Sequence, residues 1–139
     1  MSRESRLLAG VLLITFPTVI AGGMSLLYQL TSEPEYAANS LRQDLWRAGH
    51  AHAGVYLILA LVVLRYVDEA ALPSGGKWFV RLAAPIAAVL LPVAFFCSVL
   101  SPDASEPNGL VNLAYVGGTL LALGLVVLGI GLVRAPRAE

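Results

Sequence analysis

The sequence has few charged residues and a single cysteine. Of its 139 residues, 13% are charged and 58% hydrophobic, and nine basic side chains are matched by nine acidic ones. Soluble globular chains carry about 25% charged and about 45–50% apolar residues, so the composition excludes an ordinary cytosolic protein and a disordered chain. The charge balance lacks the basic footprint of a nucleic-acid-binding protein. One cysteine excludes an intramolecular disulfide framework and a CxxC redox or zinc motif.

Long apolar segments are what the chain has in abundance. A helix needs about 20 residues to cross about 30 Å of hydrocarbon, and four stretches are long enough, namely 7–30, 46–67, 78–100 and 110–133. Their runs are continuously apolar, whereas a transmembrane β-strand alternates polar and apolar residues. We therefore predict an all-α integral membrane protein, a four-helix bundle that forms a single domain over residues 1–139.

The basic residues predict the orientation of these spans. Short loops rich in Lys and Arg stay in the cytoplasm. Seven of the nine basic residues fall on the side of the two termini and of the loop 68–77, and only Arg42 and Arg47 fall on the other side. We therefore expect both termini in the cytoplasm and the loops 31–45 and 101–109 outside. The excess of Arg over Lys and the many alanines are typical of GC-rich bacteria, which indicates a multi-pass protein of a bacterial plasma membrane.

The first span has some features of a signal peptide, because basic residues precede an apolar run that ends in small residues near Ala21. Pro17 interrupts this run, however, and apolar residues continue to Leu30 as in a full span. We expect the segment to be retained as the first helix.

The second helix is expected to begin before its apolar segment. Ser40 and Gln43 have the spacing of a capping box, in which the first side chain caps the helix and the second bonds back to it. The helix would then start near Leu41 and project above the membrane before it enters the bilayer at Trp46.

Small residues mark the faces along which membrane helices touch, because association in lipid depends on close packing. In the fourth span, Gly117, Gly124 and Gly131 recur at intervals of seven and form one stripe. The stripe predicts either packing within the chain or the seam of a homo-oligomer, and the sequence does not separate the two.

Ionisable residues within a span are the first candidates for a functional site. The two histidines, His50 and His52, lie in the second span near its outer end. The other spans place polar or sulfur-containing side chains at a similar depth, whereas the cytoplasmic halves have almost none. We therefore predict an outward-facing polar site, whose candidate cofactor-binding residues are His50, His52, Tyr56, Tyr28, Asn112 and Tyr115.

The histidines cannot bind one ion together, because residues i and i+2 lie about 200° apart around a helix. A metal site would instead combine one histidine with soft ligands, and the candidate set is His52, Cys97 and Met24, which suits copper. For haem, either histidine would supply one axial ligand. The alternative is that both histidines only form hydrogen bonds that hold the helices together.

The segment RAGHAHAGVYLILALV resembles the histidine-bearing helices in the catalytic subunits of haem-copper oxidases and nitric-oxide reductases. The resemblance implies that His50 or His52 ligates haem, with the second axial ligand coming from elsewhere. It covers one helix, and those subunits have many more helices and ligand histidines. The chain is therefore not such an oxidase by itself.

No Ser-His-Asp set, paired carboxylates or Gly-rich phosphate loop is present in the sequence, so a catalytic role is not the first expectation. We predict a small haem- or metal-binding, or accessory, protein of membrane redox chemistry, held in the lipid bilayer and expected to join a larger membrane complex. One alternative is an oligomeric small-molecule transporter or channel. The other is a structural scaffold subunit.

Overall fold

A computed structural model describes residues 1–136 of the chain. Its helices are α1 (Arg3–Ser32), the short α2 (Pro34–Ala38), α3 (Ser40–Tyr66), α4 (Ser74–Cys97) and α5 (Leu113–Val133), which a 3-10 turn (Gly109–Asn112) precedes. No strand occurs within this described part. Four helices are long and apolar enough to cross a membrane. The predicted all-α fold with four spans is therefore confirmed.

The segment predicted as the loop 31–45 is largely helical. Helix α1 runs on to Ser32, α2 follows, and α3 begins at Ser40, before the apolar segment as expected. The capping-box prediction was wrong by one residue, because Asn39 caps α3 by accepting a hydrogen bond from the Arg42 N–H at 3.0 Å. Gln43 instead donates its amide hydrogens to the carbonyls of Tyr36 and Ala37. These bonds tie α2 onto the first turn of α3.

The long helices pack in the order of the chain. Helix α1 lies against α3, α3 against α4, and α4 against α5, and the two contacts made by α4 are the most extensive. Because successive spans run in opposite directions, the bundle has two distinct ends. We call the end with Ser2, Asp68, Arg81 and Gly131 the terminal end, and the other the α2 end.

Helix α4 is the centre of the bundle because one of its faces is built from alanine. Its buried residues include Ala83, Ala84, Ala87 and Ala94, each no more than 2% exposed. Such small side chains let neighbouring helix backbones approach closely. By contrast, α1 contains an apolar stretch of 18 residues in which no residue is buried. The outer helix thus presents most of its surface to its surroundings.

The glycine stripe of α5 faces α4 and the turn before it. A Cβ atom on Gly124 would lie 2.6 Å from the Cβ of Ala83, and one on Gly131 would lie 2.7 Å from the Cγ of Leu72. Gly117 is likewise buried, against Leu91. Of the two interpretations of this stripe, packing within the chain is the one observed. A homo-oligomer stays a prediction, and its seam would need a face of α5 that α4 does not cover.

We expect Gly124→Ala to lower the free energy of unfolding by about 1–3 kcal/mol, the usual cost of overpacking. The Ala83 methyl group cannot rotate away from the new Cβ, so the two backbones must separate. The matched control is Gly129→Ala on the same helix, where a Cβ meets nothing within 4 Å. The control should leave the free energy of unfolding unchanged or raise it by up to about 1 kcal/mol, because alanine has a higher helix propensity than glycine. Unfolding in mixed micelles checks both, and equal effects would contradict the close contact.

Candidate functional site

The two histidines of α3 point towards different neighbours. His50 lies against α1, where its ring contacts Gly22 and Gly23. His52 lies on another face, where its ring packs against Tyr56 and against Phe95 of α4. The structure thus contains two separate histidine environments near the α2 end of the bundle.

His50 fits into a notch made by two adjacent glycines of α1. A Cβ on Gly23 would lie 2.9 Å from the His50 Nε2, and one on Gly22 would lie 3.7 Å from its Nδ1. The ring is half-buried. Neither ring nitrogen has a hydrogen-bond partner among residues 1–136. Since no side-chain N or O atom of these residues is both fully buried and unpaired, the His50 nitrogens are not fully buried. The nitrogens therefore remain reachable from outside the helix contact.

A half-enclosed groove of about 220 Å³ opens beside His50, between α1 and α3. Its α1 wall consists of Leu26, Leu27 and Leu30 together with Gly23. Its other wall is polar and is formed by Gln43, Arg47 and His50 of α3 with Tyr36 of α2. The three α3 residues follow the spacing i, i+4, i+7, which places them on one helix face.

Tyr36 is 2% exposed and sits where α2 folds over α3. Burial raises the pKa of its phenol above the ordinary value, and the charges of Arg47 and Arg42 offset only part of that rise. The phenol therefore stays protonated at neutral pH and keeps its O–H as a hydrogen-bond donor.

The tautomer of His52 follows from its hydrogen bond to the backbone. Its Nδ1 lies 2.6 Å from the carbonyl oxygen of Ala48, one turn earlier in α3. A carbonyl oxygen only accepts hydrogen bonds, so Nδ1 carries a proton, and in the neutral ring the lone pair is then on Nε2. The Nε2 has no hydrogen-bond partner within the described residues.

A shallow groove of about 160 Å³ lies at His52 and is lined by Ala51, Val55 and Tyr56 as well. The ring centroids of His52 and Tyr56 are 5.3 Å apart in an edge-to-face arrangement, and Phe95 holds another side of the ring at 5.4 Å. These contacts fix the ring orientation while the groove leaves one side open. His52 has the geometry of a ligand that is oriented in advance.

The other predicted site residues line neither of the two histidine grooves. Tyr28, Met24 and Tyr115 are 61%, 69% and 75% exposed. Asn112 donates to the carbonyl of Gly109 within the 3-10 turn, and Cys97 is a half-buried free cysteine. Of the predicted set, His52 and Tyr56 are brought into contact. Residues 1–136 contain no group of three or more His, Cys, Asp or Glu side chains that could hold a metal ion.

Arg42 occupies a position that the sequence analysis missed. It is 7% exposed, and its guanidinium lies 4.5 Å from the centroid of the Trp46 ring and 5.9 Å from that of Tyr36. Its Nε donates to the carbonyl of Val99 at 3.1 Å, and its Nη2 to that of Leu100 at 3.4 Å. The signal was present in the sequence, because Arg42 and Trp46 are four residues apart on a helix.

Side chains around Arg42 donate hydrogen bonds to the backbone carbonyls at the end of α4 and in the loop that follows it. The Trp46 indole donates to the carbonyl of Phe96, and the Asn108 amide donates to that of Cys97. Asn39 reaches across to the carbonyls of Pro102 and Ala104. Helix ends expose such carbonyls and carry partial negative charge, so a buried arginine is stabilised here without a carboxylate.

A second cluster that the sequence analysis did not predict lies at the terminal end and joins α4 to the start of α1. Arg81 of α4 is 6% exposed, and it pairs with Asp68 at 2.6 Å. Its Nε and Nη2 also donate to the hydroxyls of Ser5 and Ser2. Asp68 further accepts a hydrogen bond from the Ser2 N–H at 2.6 Å. In the sequence, Arg81 indicates only the orientation of the spans, and no local pattern predicts its pairing with Asp68.

The pKa of Asp68 reflects these contacts. Burial alone raises it, but the hydrogen bonds from the Ser2 N–H and from Arg81, together with the nearby Ser5 and Ser2 hydroxyls, lower it to about 2. Asp68 is therefore charged throughout the physiological range, which keeps the terminal end closed by an ion pair.

No known family, curated protein or solved structure matches this chain.

Proposed function

We propose that this chain is a small accessory protein of membrane redox chemistry that ligates haem through His52. The supporting observation is the hydrogen bond from His52 Nδ1 to the Ala48 carbonyl, which in the neutral ring puts the lone pair on Nε2, next to an open groove. Metal-ligating histidines commonly donate the other ring N–H to a backbone carbonyl in this way, which fixes the tautomer and orients the ring.

The surroundings of His52 suit haem better than a copper ion. Haem can be held through one or two protein side chains, and His52 would be one of them. A copper site built from His52, Cys97 and Met24 would need three side chains to converge, and Met24 is 69% exposed on α1. The aromatic rings of Tyr56 and Phe95 add apolar edges to the His52 environment.

The groove at His52 holds about 160 Å³, which is too small to enclose a macrocycle. A bound haem would therefore be covered on its other side by lipid or by another chain, which would also offer the second axial ligand. The proposal therefore includes membership in a larger membrane complex or in a homo-oligomer. When bound, haem would supply one-electron chemistry, while the chain holds and orients its ligand.

The proposal includes the location of the chain in a bacterial plasma membrane with both termini in the cytoplasm. Seven of the nine basic residues lie on the side of the termini in the sequence, and short basic loops favour the cytoplasm. Both clusters of buried arginine lie at the ends of the bundle, Arg81 at the terminal end and Arg42 at the α2 end.

We expect the detergent-purified protein, isolated with haem or reconstituted with it, to show a Soret band that changes on dithionite reduction. His52→Ala should abolish the band because the axial ligand is lost. The matched control is His50→Ala, which should keep the band because this ring faces α1. Elemental analysis of the same samples measures iron, copper and zinc.

A colourless, metal-free protein that stays so after reconstitution would overturn this proposal and favour a scaffold. A Soret band that His50→Ala removes while His52→Ala retains it would transfer the ligand role to the other histidine. Circular dichroism of each variant shows whether the helices are intact.

A further inference from the structure

The groove beside His50 combines an apolar wall with a polar one. Leu26, Leu27 and Leu30 of α1 provide the apolar wall, and Gln43 and His50 stand across from them. His50 lies four residues below Trp46, about 6 Å deeper along the helix. A molecule in this groove would therefore meet hydrocarbon on one side and hydrogen-bonding groups on the other.

The polar wall has unused hydrogen-bonding capacity. His50 has no hydrogen-bond partner among residues 1–136, although a polar group in an apolar setting is costly when left unpaired. The Gln43 amide nitrogen donates to two carbonyls of α2, which fixes the side chain, while its oxygen accepts no hydrogen bond within residues 1–136. The groove thus offers an imidazole and an amide oxygen to one ligand.

The charges of the groove favour a neutral head group. Its cation, Arg47, forms an ion pair with Asp44 at 2.7 Å, and its Nε donates to the Gln43 carbonyl. A phosphate or carboxylate would have to compete with Asp44 for this guanidinium. A neutral ring with carbonyl or hydroxyl oxygens requires only the imidazole and the amide, which are available.

We propose that this groove binds the head group of an isoprenoid quinone or quinol. A carbonyl of the ring accepts a hydrogen bond from His50, and in the reduced form a hydroxyl donates to His50 or to the Gln43 oxygen. The volume of about 220 Å³ suits one substituted six-membered ring, and the leucine wall leads the apolar tail into the bilayer. This site is independent of haem at His52, because it uses another face of α3.

The test measures binding of a decyl-substituted benzoquinone to the protein in phosphatidylcholine nanodiscs. The sequence has two tryptophans, so Trp78→Phe leaves Trp46 as the only indole, one turn from His50. We expect saturable quenching of its fluorescence. His50→Leu, which keeps the volume but removes the nitrogens, should raise the dissociation constant about tenfold, the effect of one lost hydrogen bond of about 1.4 kcal/mol. His52→Leu should leave it unchanged.

A second pair of variants does not depend on the histidine. Leu26→Phe fills the groove from the α1 side and should also raise the dissociation constant at least tenfold. Leu13→Phe is its control, since Leu13 lies on the same helix, is 58% exposed and does not line the groove. This pair decides the question if His50→Leu fails to fold by circular dichroism and size-exclusion chromatography.

The proposal is overturned if quenching rises linearly with quinone in every variant, as simple partitioning into lipid would give. It is also overturned if native mass spectrometry finds a phospholipid in the groove that the quinone does not displace. Neither result depends on whether the protein carries haem, so this failure is distinguishable from failure of the haem proposal.

Discussion

Replacing Asp68 by alanine is expected to lower the free energy of unfolding by about 3 kcal/mol. Arg81 is 7% exposed at its side chain and Asp68 is 16% exposed, so the substitution leaves a buried guanidinium without its counter-charge. Removing one partner of a buried pair typically costs about 3–5 kcal/mol. The Ser2 N–H also loses its acceptor, which loosens the start of α1. Reversible unfolding in mixed micelles measures the change.

The neighbouring residue provides a matched control. Glu69 pairs with Arg65, but those side chains are 51% and 60% exposed, and exposed pairs contribute between about 0 and 1 kcal/mol. Glu69→Ala should therefore have little effect. The double variant Asp68→Ala/Arg81→Met should recover part of the loss, because no unpaired charge stays buried. Equal losses for Asp68→Ala and Glu69→Ala would contradict the buried pair.

The same carboxylate predicts a dependence on pH. Asp68 has an ordinary pKa of 3.8, which the folded state lowers to about 2. A lowered folded-state pKa adds stability that is fully present above the unfolded pKa. The contribution of Asp68 is therefore lost as the pH falls from about 3.8 towards about 2. Asp68→Ala should flatten the stability curve in this window.

Replacing Arg42 by methionine is expected to lower the free energy of unfolding by about 3 kcal/mol. The guanidinium donates to the carbonyls of Val99 and Leu100, and hydrogen bonds from a charged group contribute about 1.5–3 kcal/mol each. Its stacking over Trp46 at 4.5 Å adds up to about 2 kcal/mol where the site is desolvated. Methionine preserves the packing volume but leaves the carbonyls unpaired. Micellar unfolding measures the loss.

Two further variants separate charge from geometry at this site. Arg42→Lys should recover little, because an ammonium lacks the planar fork that bonds two carbonyls while it stacks on an indole. Arg47→Met is the control, since this side chain is 58% exposed and its one ion pair within residues 1–136 is with Asp44, which is 71% exposed. A loss below about 1 kcal/mol is expected for it. If Arg42→Lys matched the native protein, the stacking argument would be wrong.

The sequence was sufficient for the four spans because hydropathy and length alone decide whether a helix can cross a bilayer. It was less informative about where the helices end. Residues 31–45 are polar enough to read as a loop, yet Pro34 starts a helix and Asn39 caps the next one. Local capping chemistry, rather than hydropathy, set these boundaries.

The candidate site was foreseen only in part. The spacing of His50 and His52 already required them to face different neighbours, but the partners of each depend on which helices pack together. Nothing in the local sequence indicated that Gly23 would receive the His50 ring. Likewise, Asp68 in the turn after α3 pairs with Arg81 in the first part of α4, 13 residues later in the sequence. Ser2, from the N-terminal segment, donates a further hydrogen bond to Asp68. Such contacts follow from tertiary packing and carry no short motif.

The sequential order of helix contacts has a consequence for biosynthesis. Each long helix packs against the one made before it, so each can dock as soon as it has been synthesised, without waiting for a distant partner. The hydrogen bonds from Arg81 to Ser5 and Ser2 form later, because they link positions 76 and 79 residues apart. Because Arg81 lies in α4, these bonds form only after that helix has been made, and they give α1 a second attachment besides its packing against α3.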